Sequence, residues 1–167
     1  MTLEQAIKTA IDYETKIRNV YREAAERVHE AAGRSFLQTM GDDEQRHLDY
    51  LVERLELWKR TGKLTVEKLE TAVPSHESIA REMARYKSEV SKKTRGDQKR
   101  ILSRALRVEL ETSNFYKKMV DEMSDEGQAM FARFLEIEEQ HIAAVQMQLD
   151  YVSKTGYWFG FKEFDME

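Results

Sequence analysis

Two short segments, Glu44-Gln45-Arg46-His47 and Glu138-Glu139-Gln140-His141, constrain this chain more than anything else in it. In a helix, a Glu and a His three residues apart share a face, so each pair can direct two donor side chains at one point. The pairs recur at an offset of 94 residues, and their surroundings recur with them. Ala10-Ile11-x-x-Glu14 returns 95 residues later as Ala105-Leu106-x-x-Glu109, and Asn19-Val20-Tyr21 returns as Asn114-Phe115-Tyr116. Thr61-Gly62 comes back after 94 residues as Thr155-Gly156. A repeat of this length and content reads as a duplicated helical hairpin.

Periodicity supports helices throughout. In the first helix Leu3, Ala6, Ile7, Ala10, Ile17, Val20, Tyr21, Ala24 and Val28 recur at three and four residues, and Glu14 falls on that apolar face. The second carries Leu37, Met40, Leu48, Leu51, Leu55 and Trp58, with Glu44 and His47 on the stripe and Thr61-Gly62 as its stop. Residues 62–96 form a connector in which Pro74 precedes an amphipathic stretch, Glu77 to Val90, that predicts a crossover helix. Asp97 is the expected N-cap of the third helix, whose stripe is Ile101, Ala105, Val108, Thr112, Phe115, Met119 and Met123, with Glu109 inside it. Ser124-Asp125 is the expected cap of the fourth, which turns Met130, Phe131, Phe134, Leu135, Ile142, Val145 and Val152 inward and stops at Thr155-Gly156. The fold class is therefore all-α: a four-helix bundle over residues 1–155, built from two hairpins with a long crossover, followed by an aromatic tail over 156–167 that packs on the bundle or on a second subunit.

Composition narrows the chemistry. With no Cys, there is no disulfide frame, zinc ribbon or iron–sulfur centre, and any metal must be held by Glu, Asp and His. A length of 167 residues suits one domain, and seven Gly and one Pro leave few helix breakers. The net charge of −4 gives no general reason to bind nucleic acid, and the local cluster Lys92, Lys93, Arg95, Lys99 and Arg100 reads as solvated linker. No apolar run approaches the ~20 residues of a membrane span, and Met1-Thr2-Leu3-Glu4-Gln5 lacks the features of a signal peptide. A cytoplasmic protein without a membrane partner is the expectation.

The midpoint of Glu14 and Glu44 falls at His29-Glu30, and that of Glu109 and Glu138 at Met123-Ser124. In each hairpin the two Glu are thus equidistant from the turn, which puts all four at one height. Four ionised carboxylates inside a bundle cost several kcal/mol each unless paired or metal-bound. Two divalent ions balance their charge, and neutral His47 and His141 add two nitrogen donors. Oxygen and imidazole donors suit iron or manganese, with zinc also able to bind. Glu14, Glu44, His47, Glu109, Glu138 and His141 are the candidate metal ligands.

These residues resemble the site of the ferritin-like di-iron superfamily, and a Glu followed seven residues later by Tyr, ahead of each Glu-x-x-His, is most similar to its rubrerythrin-related branch. The resemblance implies two iron ions per chain, with Glu14 and Glu109 as terminal carboxylates, Glu44 and Glu138 bridging, and one His on each metal. It also implies that Tyr21 and Tyr116 hydrogen-bond to the ligands, that the activity is oxidation–reduction on H2O2 or O2, that a separate donor such as a rubredoxin supplies electrons, and that the chain is a homodimer. Thr112 stands where peroxide-reducing members usually carry a further Glu, and the six-ligand set is equally similar to the ferroxidase site of bacterioferritins. Iron oxidation, storage or delivery is therefore the alternative function, and a helical interaction module stapled by metal is a third.

The remaining polar residues near the motifs read more simply. Glu111, Glu136, Glu139, Asp42 and Asp43 are expected to be surface charges, and His29 and His76, with no partner at ligand spacing, exposed histidines. The eight Met are expected as core filler.

Overall fold

The computed structural model describes residues 1–84 and 95–161. They form five helices: α1 (Leu3–Arg27), α2 (Ala31–Thr61), α3 (His76–Met83), α4 (Arg95–Glu122) and α5 (Asp125–Thr155). No strand occurs among the described residues. Helix α1 packs along α2 and α4 along α5, α1 lies against α4, and α3 touches α5. Two long hairpins thus make a four-helix bundle.

Local chemistry explains the helix ends. Thr2 and Gln5 form a reciprocal capping box at the start of α1. Gly62 (φ 66°) and Gly156 (φ 75°) close α2 and α5 in the left-handed conformation that glycine adopts without a Cβ penalty. Helix α4 begins at Arg95, so Asp97 lies in its first turn rather than at its cap, where its charge complements the helix dipole. Ser124 is the cap residue of α5, but its side chain makes no capping hydrogen bond. The crossover helix is shorter at its described end than the amphipathic pattern predicts, with α3 stopping at Met83; residues 85–94 lie outside the described part.

The buried apolar residues separate into two clusters. One contains Ile17, Val20, Phe36, Met40, Leu102, Val108, Val145 and Val152, and the other Ile7, Ala10, Leu51, Phe115, Met119, Phe131, Phe134 and Ile137. Leu135 and Ile142 are only half-buried; Ile137, Ala144 and Gln148 complete the inner face of α5. On every long helix the polar candidates fall between the two clusters: Glu14 between Ala10 and Ile17, Glu44 between Met40 and Leu51, Glu109 next to Val108 and before Phe115, Glu138 and His141 between Ile137 and Ala144. Burying a large apolar side chain contributes about 1.5–3 kcal/mol, so two such layers can hold a polar stratum between them.

The tail folds back on its own bundle as far as it is described. Phe36 of α2 meets Trp158, Phe159 and Phe161 at ring-centroid distances of 6.3, 5.7 and 4.8 Å. Gln148 of α5 imitates a neighbouring strand: its Nε2 donates to the Phe159 carbonyl at 2.7 Å and its Oε1 accepts from the Phe159 N–H at 3.0 Å. Trp158 lies so close over Gly33 that a Cβ there would come within 2.7 Å of the indole ring. Gly33→Ala is therefore expected to destabilise the protein by about 1–3 kcal/mol through overpacking, read from the urea midpoint at unchanged slope. A neutral result would mean that the tail yields without cost.

Among the described residues no helix is long and apolar enough to cross a membrane.

Candidate metal centre

Helix α1 brings Glu14 to mid-height, α2 brings Glu44 and His47, α4 brings Glu109, and α5 brings Glu138 and His141; all six are fully buried. Their donor atoms fall into two sets, Glu14, Glu44 and His47 in one and Glu44, Glu109, Glu138 and His141 in the other, with the atoms in each set within 4.8 Å of one another. Glu44 belongs to both. The two imidazole rings are nearly parallel, 5.6 Å apart.

The tyrosines cross the bundle. Tyr21 of α1 donates to Glu109 Oε1 and Tyr116 of α4 donates to Glu14 Oε1, each at 2.6 Å. These matched bonds express the duplication: each first-hairpin residue serves the second hairpin's carboxylate and the reverse. Burial, and then the neighbouring carboxylate, hold both phenols well above the ordinary tyrosine value, so both remain proton donors. Each tyrosine thus fixes one oxygen of its carboxylate.

The surroundings of the histidines are not symmetric, because Asp43 is not the surface charge expected from its place beside the stripe. It is fully buried. Its Oδ2 lies 2.8 Å from His141 Nε2 and accepts from the Thr71 hydroxyl at 2.6 Å; its Oδ1 accepts from Arg46 at 2.6 Å and the Ala72 N–H at 2.9 Å. The matching position in the second repeat is Ile137. His47 finds the connector backbone instead, with Nε2 3.1 Å from the Glu70 carbonyl. Residues 63–75, without helix or strand, are thereby stitched over the histidines, and Arg133, Tyr50 and Arg54 hold the Leu69 and Glu67 carbonyls and the Thr65 hydroxyl alongside.

Without metal the site is balanced by protons. Burial and the charges of neighbouring carboxylates push Glu44 and Glu138 well above the carboxylate range, which favours their neutral forms. Burial also works to raise Glu109 and Asp43, but the nearby Glu138 carboxyl, His141 and the hydrogen bond from Tyr21 outweigh it for Glu109, and hydrogen bonds from His141 and Thr71, with the charge of His141, outweigh it for Asp43; both end below the usual range. Burial lowers His141, yet the bond to Asp43 and then Glu109 carries it well above the ordinary imidazole value. His47, in contrast, is pushed down by burial and stays neutral. The centre thus favours protons on Glu44, Glu138 and His141 and charge on Asp43 and Glu109.

Several donor atoms nevertheless have no partner: Oε2 of Glu14, Glu44 and Glu109, both oxygens of Glu138, and Nδ1 of His47. Buried polar atoms are normally hydrogen-bonded, and so many bare ones around one point can serve as the donor set of a cation. The buried acidic and histidine groups can hold metal. His141 presents Nδ1 to Glu44 at 2.7 Å and to Glu109 at 3.5 Å, and His47 turns its bare Nδ1 toward Glu44 Oε2 at 4.0 Å. Both rings therefore direct Nδ1 at the carboxylates and Nε2 at outer partners, the usual arrangement of metal-ligating histidine.

Other sequence candidates lie elsewhere. Glu111, Glu136, Glu139, Asp42, His29 and His76 are exposed, and Glu111 pairs with Lys16 at 3.1 Å. Thr112 is buried one turn beyond Glu109, but its hydroxyl donates to the Val108 carbonyl at 2.8 Å in its own helix. A cavity of about 580 Å³ opens at one end of the bundle between Met1, Leu3, Trp58 and Gly127 and includes none of the site residues. Arg54, nearly fully buried with its guanidinium 4.6 Å over the Tyr50 ring, has no signal in the sequence beyond its helical position. Compared with protein-family models and with curated proteins, the chain matches none.

Proposed function

We propose that this chain is a non-haem dinuclear metal protein of the ferritin-like, rubrerythrin-related kind, with iron as the best-suited ion, acting in oxidation–reduction on H2O2 or O2. The observation that carries the reading is the set of partnerless, fully buried carboxylate and imidazole atoms contributed by all four long helices at one height. Glu14 and His47 would hold one ion, Glu109, Glu138 and His141 the other, and Glu44 would be shared. A bound pair of such ions supplies electrons and open positions for an oxidant. The protein's own contribution is positional and protonic. Tyr21 and Tyr116 fix the outer carboxylates, the flanking Phe134, Ile137 and Met40 exclude water, and Glu44 and Glu138 release protons as ions replace them.

The test is anaerobic Fe²⁺ loading followed by separate rapid mixing with O2 and with H2O2, watched optically. Optical change with neither oxidant would overturn the redox reading. Thr112 decides the oxidant. Because its hydroxyl is spent on its own helix, the native chain is expected to show no large preference for H2O2. Thr112→Glu would place a further carboxylate on the face of Glu109 and raise that preference at least ~10-fold, equivalent to ~1.4 kcal/mol of barrier. A native preference for peroxide of several orders of magnitude would assign the role to another residue.

A further inference from the structure

His47 and His141 each have a second ring edge, and those edges meet a donor set that the carboxylate cluster does not use. Asp43 Oδ2 is 2.8 Å from His141 Nε2 and 3.6 Å from His47 Nε2, and one donor atom from each of the three residues lies within 4.8 Å of the others. The Glu70 carbonyl adds an oxygen 3.1 Å from His47 Nε2. Neighbouring donors on an octahedral ion with bonds of about 2.1 Å are about 3.0 Å apart, so these separations are those of ligands around one centre. Two imidazoles and one carboxylate on a single face are the donor set of a divalent first-row transition ion.

We propose that Asp43, His47 and His141 form a second, single-ion site, for a divalent transition metal bound through the two Nε2 atoms, that captures an ion before it passes to the carboxylate cluster. The two sites alternate, because a neutral imidazole offers one bare nitrogen at a time. An ion at Nε2 keeps the ring protons on Nδ1, where Glu44 accepts from His141. Passage inward moves each ring proton to Nε2, where Asp43 and the Glu70 carbonyl accept it. In the absence of an outer ion the Asp43–His141 contact simply orients the ring.

Placement suits capture. Asp43 Oδ1 is held at 2.6 Å by Arg46, whose side chain is 54% exposed, and the connector residues beside it are half-buried Thr71 and exposed Glu70. Asp43 is therefore one side chain from solvent on the connector side, whereas the cluster lies behind it between two apolar layers. An ion arriving from that side meets Asp43 and the Nε2 edges first. The proposal is independent of any redox activity of the cluster.

The test uses Co²⁺ and a chain with Glu14→Gln, Glu44→Gln, Glu109→Gln and Glu138→Gln, which removes the cluster and spares the triad. If this variant is helical by circular dichroism, it should bind one Co²⁺ per chain with a visible ligand-field spectrum. Adding Asp43→Asn should weaken that binding more than about 100-fold, beyond the range for losing an outer partner of a ligand. No Co²⁺ binding by the fourfold variant, or binding indifferent to Asp43→Asn, overturns the site. If the fourfold variant is not helical, loading kinetics decide. Stopped-flow Co²⁺ uptake by the native chain should then show a fast phase that Asp43→Asn slows at least about tenfold while the final stoichiometry is kept, as expected of a capture step. Uptake rates within twofold of each other overturn the proposal. Failure of the native chain to bind two ions would count against the dinuclear reading and not against the triad.

Discussion

Loading the protein with a divalent ion such as Mn²⁺ raises its melting temperature, and the increment grows with pH. At a hundredfold excess over its dissociation constant, an ion bound only by the folded state contributes ~2.7 kcal/mol, about 5–10 °C for a chain of this size. The pH dependence follows from the protons that the ions replace. Glu44, Glu138 and His141 have raised values in the folded, metal-free state, so the stability they contribute is present below their ordinary values and is lost as pH rises through the folded ones. Asp43 and Glu109 are lowered, so theirs is present above the ordinary carboxylate range and is lost on acidification. The metal-free protein should therefore be most stable between about pH 4 and 5, where the unfolded carboxylates titrate, and weaken as pH rises from there toward alkaline values. The loaded protein has no protons to lose at these groups and should keep its stability there. Thermal melts with chelator and with Mn²⁺ across this range, together with elemental analysis for two ions per chain, are the measurement. Parallel curves, or a reproducible ratio at or below one ion, would sink the dinuclear reading. Glu44→Ala or Glu138→Ala should abolish the increment and leave the helices intact.

Asp43→Ala is expected to cost about 3–5 kcal/mol in the metal-free protein, the range for removing one partner of a buried charge pair. The substitution leaves the His141 imidazolium facing only part of its counter-charge and strips an acceptor from Arg46, the Thr71 hydroxyl and the Ala72 N–H. Asp43→Asn keeps the shape and an acceptor, and should cost less. Urea unfolding at constant slope measures both, and hydrogen exchange over residues 65–73 should show the connector losing protection in the alanine variant. A cost below about 1 kcal/mol would mean that these contacts only offset the desolvation of Asp43.

The six buried carboxylate and imidazole residues that meet at mid-height could be read from the chain alone because their information is local and repeated. A helix turns a Glu and a His three apart to one side whatever packs against it, and the duplication at 94–95 residues supplies the second copy and the common height. The left-handed stops at Gly62 and Gly156 are legible for the same reason, since glycine meets that backbone demand at no steric cost. Asp43 was not legible. It lies one residue, about a quarter turn, before Glu44, on the flank of the stripe, and whether such a flank faces water depends on what crosses it. Here the connector crosses it, and residues 63–75 carry no periodicity from which their path could be read. The partners of Tyr21 and Tyr116 were hidden too, because their bonds run between helices 88 and 102 residues apart in sequence and depend on which helices become neighbours. Gln148 is of the same kind: a polar residue on an apolar face, explained only once the tail brings the Phe159 amide to it. Side-chain periodicity and the repeat determined which donors point inward; tertiary packing decided which protons, carbonyls and charges meet them, because those partners come from segments whose approach no local pattern encodes.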